Sequence, residues 1–258
     1  PSLVGSEMCI RDSSRMIRLD FGTSLITKEN INMLIAERLP ITLTYATFSM
    51  VISLMIGIPT GIISAVKRDT LTDLVVSILA FLGVSIPGFW LGLMLILVFS
   101  INLHWLPSAG WVSPLEDPIS SIAHMIMPAT MLGAILAATV SRQTRSALLE
   151  VMLQDYIVTA RAKGLSEKVV IFKHALKNAM IPVVTIVGMQ FGGLLGGSVV
   201  AEIIFQLPGI GKLMYNAVWL RDYTLVQGIS IVVTFVYVSV NLLVDIFYMY
   251  LDPRVRFQ

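Results

Sequence analysis

The chain has 258 residues, of which 56% are hydrophobic and 13% charged, with a mean hydropathy of +0.83. A soluble domain carries about a quarter of its residues as charges, so a water-soluble globular protein is excluded. The 18 Lys and Arg against 16 Asp and Glu leave a net charge of +2, too weak a field to imply a nucleic-acid partner.

Residues 1–13 are set aside. Leu3-Val-Gly-Ser-Glu-Met-Cys-Ile-Arg-Asp-Ser13 reads as the translation of a sequencing-library adapter that carries a transposase recognition end, and such a scar is kept out of fold reasoning. The sole cysteine, Cys9, lies inside it and supports no redox or metal argument. Residues 14–38 are expected to form an external segment. With five spans and an internal C-terminus, the N-terminus would lie outside with nothing to export it. The expectation is therefore a native six-span subunit whose first span is missing here.

Five long runs follow. Residues 39–66 and 74–103 hold no charge, 118–141 hold only His124, and 178–201 and 223–244 again hold none. Each supplies the roughly 20 residues that a helix needs to cross the hydrocarbon, and a lipid-exposed chain must satisfy its own backbone. An all-α polytopic helical bundle is expected, with spans at about 40–66, 74–101, 121–141, 179–201 and 226–250. Gly57-Ile-Pro-Thr-Gly61 in the first run, and Ser85-Ile-Pro-Gly88 with Pro87 in the second, read as helix interruptions. Both fit a plain kink as well as a hinge that moves in gating.

Orientation follows from the cations. Lys67, Arg68, Arg142, Arg145, Arg161, Lys163, Lys168, Lys173, Lys177, Arg254 and Arg256 fall in one set of connections. The opposite set has Lys212 and Arg221, and none from Asn102 to Ser121. The basic side is read as cytoplasm, with the C-terminus inside.

The connection at about 142–178 is the largest on the basic side. No Pro or Gly occurs between Arg142 and Lys163, so helix forms easily there. Asp155 can accept from free N–H groups at a helix start. Gly164 suits the C-terminal turn, with Lys163 placed against the dipole. A short surface helix over about 156–163 is predicted, kept slim by Thr159, Ala160 and Ala162 so that it can enter a groove on another protein. A second helix over about 166–178 should be amphipathic through Val169, Val170, Phe172 and Leu176.

In the fourth run, Gly192, Gly193, Gly196 and Gly197 place small residues four apart on two adjacent faces, which permits close helix approach. A mobile surface beside a translocation path and a static packing face both fit that pattern. His124, Asn241 and Asp245 are polar groups at membrane depth and are read as structural hydrogen-bonding groups, with a functional site as the alternative. No Gly-rich phosphate loop, zinc-type Cys/His cluster or Ser/His/Asp arrangement is recognisable. The chain does not read as an enzyme and shows no ATPase site of its own.

Several segments carry a resemblance. They are Phe21-Gly-Thr-Ser-Leu25, Ile35-Ala-Glu-Arg-Leu-Pro-Ile-Thr-Leu43, Asn102-Leu-His-Trp-Leu-Pro-Ser-Ala-Gly110, the segment from Asp155 to Pro182, Glu202-Ile-Ile-Phe-Gln-Leu-Pro-Gly-Ile-Gly211 and Leu251-Asp-Pro-Arg-Val-Arg256. In order and spacing, from about Arg18 to the end, they resemble the permease subunits of binding-protein-dependent ABC importers, in the dipeptide/oligopeptide/nickel branch. The resemblance implies the type I importer fold in a bacterial inner membrane. It implies a short helix that couples to an ATPase subunit through Tyr156, Thr159, Ala160, Arg161, Ala162, Lys163 and Gly164. It also implies an external re-entrant loop holding Glu202, Phe205, Pro208, Gly209 and Gly211.

The implied partners are a second, related permease, two ATPase subunits, an external solute-binding protein and the lipid bilayer, without nucleic acid. No cofactor is expected on this chain, and ATP binds the partner subunits. Two residues depart from the generic pattern, Val158 where it has Glu and Lys177 where it has Pro. Peptides are the expected cargo, with nickel or glutathione as alternatives. An autonomous secondary transporter would show inverted repeats, and none is evident.

Overall fold

The structure, a computed structural model, describes residues 20–197 and 199–251; the adapter-like segment, Arg254 and Arg256 lie outside the described residues. So do the side chain of Asp245 and the surroundings of Gly196 and Gly197.

Helix α1 (Ile31–Val66) opens on Asn30, whose side chain accepts from the backbone N–H of Asn32 and Met33, a satisfied N-cap. Its 36 residues run about 54 Å at 1.5 Å per residue, well beyond the hydrocarbon thickness. The predicted interruption at Gly57–Gly61 does not occur, because α1 continues through both Pro40 and Pro59. The glycines serve packing instead. A Cβ on Gly57 would stand 2.8 Å from the Ala137 carbonyl oxygen, and one on Gly61 2.5 Å from that of Ser141. Both partners belong to α4 (Pro118–Met152), which starts at Asp117 with Pro118 in its first turn. The missing side chains let the two longest helices approach backbone to backbone.

Between them the second apolar run is broken. Helix α2 (Leu71–Ser85) and the pair formed by α3 (Gly88–Leu95) and a π-helical stretch (Ile96–Asn102) meet at 99°. The cause is Pro87: the residue before a proline is pushed out of the helical region, and Ile86 sits at φ −74°, ψ 125°. The expected single span at 74–101 is thus two arms, with Pro87 at the elbow.

After α4 come α5 (Asp155–Ala162), α6 (Leu176–Gly197), α7 (Val199–Ile204), α8 (Ile210–Trp219) and α9 (Tyr223–Leu251). Among the described residues four stretches are long and apolar enough to cross a membrane: Ile31–Val66, Pro118–Met152, Glu167–Leu194 and Tyr223–Val244. The bent pair makes a fifth if counted as one.

Gly192 packs inside the chain, where a Cβ would stand 2.9 Å from the Tyr237 ring of α9 and 3.6 Å from the side-chain oxygen of Asn241. Gly193 faces open space. Gly192 and Gly193 therefore differ, the first at an internal seam and the second on a free face.

Apolar clusters close both ends of the bundle. At the basic end Ala65, Ala147, Leu148, Ile157, Val170 and Ala175 meet. At the other, Phe21, Ile31, Ile210, Leu225 and Ile229 do. There Asp222 ties residues 24 and 25 to the start of α9. It accepts from the Ser24 hydroxyl and from the backbone N–H of Leu25 (3.3 Å) and Leu225 (3.2 Å). Burial alone would raise this carboxyl, but those hydrogen bonds outweigh it and hold it below the usual range. His124 bonds the Ser120 carbonyl through Nδ1 at 2.8 Å, a structural contact within its own helix.

Candidate functional site at the basic end

The helix predicted between the third and fourth crossings is present as α5, lying between α4 and the stretch that leads into α6. Its start differs from expectation. The N-cap is Gln154, without a side-chain cap bond, and Asp155 occupies the first helical turn. From there its carboxylate favours the helix dipole, and its carbonyl accepts the Thr159 hydroxyl at 2.9 Å.

The C-terminal end is as read. Gly164 donates to the Arg161 carbonyl at 2.9 Å and has φ +78°, a left-handed conformation that costs glycine nothing. A Cβ there would meet nothing of this chain within 4 Å. The position favours glycine for its backbone, and the space beside it is open.

One face of α5 is bolted down. Ile157 is 0% exposed and Ala160 7%, packed with Leu148, Val170 and Ala175. The reading of Ala160 as part of a slim face offered to a groove needs correction: its small side chain lets α5 lie close to its own bundle. Tyr156 is held too, its hydroxyl accepting from the Asn178 amide at 2.7 Å. Arg161 makes a bidentate pair with Glu167 at 2.8 and 3.4 Å, which fastens the turn after α5.

The opposite side presents Thr159, Arg161, Ala162, Lys163 and Gly164 to solvent. Around them lie exposed apolar side chains: Leu153 at 76%, Val158 at 56% and Phe172 at 61%. An apolar patch on a water-facing, basic segment marks an interaction surface. The separate amphipathic helix over 166–178 is replaced by a continuous stretch. Glu167–Val169 passes through a π-helical turn, Val170–Ala175, directly into α6. The wider turn points Val170, Ile171 and Ala175 inward and leaves Phe172 outside; π turns of this kind cluster at functional sites.

A second feature of this end was not foreseen. Asp73, in the first turn of α2, receives Arg145 Nε at 2.9 Å and Nη2 at 2.8 Å. The same carboxylate accepts the Ser64 hydroxyl and the Asp69 backbone N–H at 3.1 Å. It therefore binds α1, the following turn, α2 and α4 through one group. Arg145 was legible only as one more basic-side cation. The available signal was an acidic residue standing immediately before an uncharged run.

The loop at the other end is a packed hairpin rather than an open site. Glu202 is fully buried, accepting the Thr42 hydroxyl at 2.9 Å and the Lys212 backbone N–H at 2.7 Å. Side chains on Gly209 would collide with that carboxylate, and on Gly211 with Val199. Phe205 is buried among Tyr45 and Met131, and its carbonyl accepts Gly110 N–H at 3.0 Å. The Pro208 carbonyl accepts from Arg38 at 3.4 Å. Among the described residues no three His, Cys, Asp or Glu side chains gather as metal ligands.

Comparison with known proteins bears on this geometry. Residues 57–257 match the family described as binding-protein-dependent transport system inner membrane component. A putative peptide transport system permease protein of Brucella abortus (strain 2308) is 44% identical over 242 residues, covering 94% of this chain and 77% of the relative. The dipeptide transport system permease protein DppB of Alkalihalophilus pseudofirmus is 42% identical over 92% of this chain and 78% of its own. The glutathione transport system permease protein GsiC of Salmonella choleraesuis is 40% identical over 95% and 78%. Among solved structures, the inward-facing MetNI methionine ABC transporter matches with a TM-score of 0.71 at 19% identity, over 85% of this chain and 97% of that one. That likeness speaks to the fold.

Proposed function

The chain belongs to the binding-protein-dependent transport system inner membrane components, and from that premise we propose that it forms half of the translocation path of an ATP-driven importer for short peptides. The observation that carries the coupling role is the construction of α5. Its inner face is fixed to the bundle through Ile157 and Ala160, while Val158, Leu153 and Phe172 are left for a surface outside this chain. A helix rigidly attached to α4 and α6 transmits a push from its outer face into two membrane-crossing helices.

In this reading the basic end faces the cytoplasm, and the C-terminus lies there with it. Two ATPase subunits dock on α5 and its counterpart in a second, related permease, and an external binding protein delivers cargo to the opposite mouth. ATP closes the ATPase pair, the push on α5 opens the path outward, and hydrolysis resets it. The chain contributes no chemical step and binds no cofactor; ATP stays on the partner subunits. Peptide cargo is supported by the names of the relatives, among which GsiC makes glutathione, itself a small peptide, the second reading.

A photo-crosslinking residue in place of Val158 tests the docking. It is expected to capture the ATPase subunit in assembled membranes, whereas the same probe at Lys212 captures none. Capture at neither position, or at Lys212 alone, contradicts the assignment.

A further inference from the structure

A groove runs between α1, α2 and α4 and is lined almost wholly by apolar atoms, among them Ile56, Leu79, Ala80, Gly83, Ala134 and Ala138. Its polar groups, the Thr60 and Ser141 hydroxyls, bond each other at 2.9 Å, so the interior asks for no polar ligand. Its walls belong to α1 and α4, each long and apolar enough to cross a membrane, and to α2 of the bent pair, surroundings that suit an acyl chain as occupant.

Arg142 gives it a chemical direction. It follows Ser141 in the chain, and its guanidinium stands 6.0 Å from the ring of Phe81, the residue after Ala80. Among the described ion pairs none includes Arg142. The close approach of Gly61 to Ser141 places this level five residues before the end of α1, about 8 Å at 1.5 Å per residue. Arg142 is exposed and directly follows the apolar run 118–141, and a long cationic side chain at the end of such a run reaches toward the headgroups. Basic pockets between membrane helices hold anionic lipid headgroups for this reason.

We propose that the α1–α2–α4 groove with Arg142 is a binding site for an anionic phospholipid, one acyl chain lying against Ala80, Gly83 and Ala138 and the phosphate on the Arg142 guanidinium. A bound lipid there fills the seam beside the α2–α3 elbow and steadies the arm that α2 forms. Charge complementarity favours the lipid over an apolar helix of another subunit, which would leave Arg142 unpaired.

The test uses the assembled importer in nanodiscs of phosphatidylcholine, with or without phosphatidylglycerol, and native mass spectrometry of the lipid retained. Wild type is expected to keep phosphatidylglycerol in preference to phosphatidylcholine. Arg142→Gln should weaken that retention about tenfold, the worth of one charge-assisted contact, and Arg142→Lys should restore most of it. Ala80→Leu, which fills the groove with the charge intact, should also lower retention. Subunit stoichiometry is read from the same spectra. Equal retention of the two lipids by wild type overturns the proposal, as does unchanged retention in Arg142→Gln or in Ala80→Leu. Loss of a partner subunit from Arg142→Gln with the lipid still bound also overturns it, and points to a carboxylate on that subunit.

Discussion

Gly164→Asp is expected to bring peptide uptake to background while the chain inserts in the membrane at the wild-type level. The backbone there sits at φ +78°, where an ordinary L-residue pays about 1–2 kcal/mol and Asp falls toward the low end of that cost. That is enough to distort the turn after α5 and too little to unfold a bundle held by several apolar clusters. No atom of this chain lies within 4 Å of the added Cβ, so the new carboxylate has no internal clash. Its effect falls on whatever docks outside, through an altered turn and a negative charge beside Lys163. Gly164→Ala separates the two contributions, since it carries at least as much strain and adds no charge, and should retain more transport. Uptake of labelled dipeptide, set against the amount of chain in the membrane, reads both. Wild-type uptake by Gly164→Asp contradicts a coupling role for this turn.

The second large effect belongs to Asp73→Ala. Removing one member of a buried pair leaves the other charge uncompensated, at a cost of about 3 kcal/mol, the lower end of the usual range because the Arg145 side chain is still 32% exposed. The Ser64 hydroxyl and Asp69 N–H also lose their acceptor. The damage is expected to travel, because Arg145 lies on the last turns of α4 beside Ala147 and Leu148, which floor the seat of α5. The purified importer should therefore melt at lower temperature, and uptake should fall with it. The double variant Asp73→Ala/Arg145→Ala removes the orphan cation and should recover part of the lost stability. A single variant that melts with wild type shows that the clamp contributes nothing.

What the sequence could show depended on the range of the interaction. Charge-free runs mark crossings because a charge in lipid is costly wherever it sits, and α1, α4, α6 and α9 follow from that local rule. The same rule cannot see an angle: the interruption at Ser85–Gly88 was legible, but its 99° bend was not. Its trace was the proline's constraint on the preceding residue.

Gly57 and Gly61 were legible as small residues, but their role became plain only with α4 lying against them. In the segment around α5, Gly164 stood out because glycine takes the left-handed turn that ends a helix at no cost. The inward turn of Ala160 depends on Ile157 three residues earlier sharing its face, a periodicity that eight helical residues barely express. The Asp73–Arg145 pair spans 72 positions, and no local pattern announces a partner at that distance. Glu202 was noticed for its loop, whereas its burial against Thr42 required the start of α1 and the start of α8 to meet.

The central claim is that this chain is a transport half driven from α5 by subunits it does not contain. It is tested most directly by reconstituting the importer in proteoliposomes with the binding protein and a labelled dipeptide, with ATP supplied on the ATPase side. ATP-dependent accumulation that disappears when Gly164→Asp replaces the wild-type chain, with assembly intact, is the predicted result. Accumulation that proceeds without the ATPase subunits, or equally with the variant, would contradict the account.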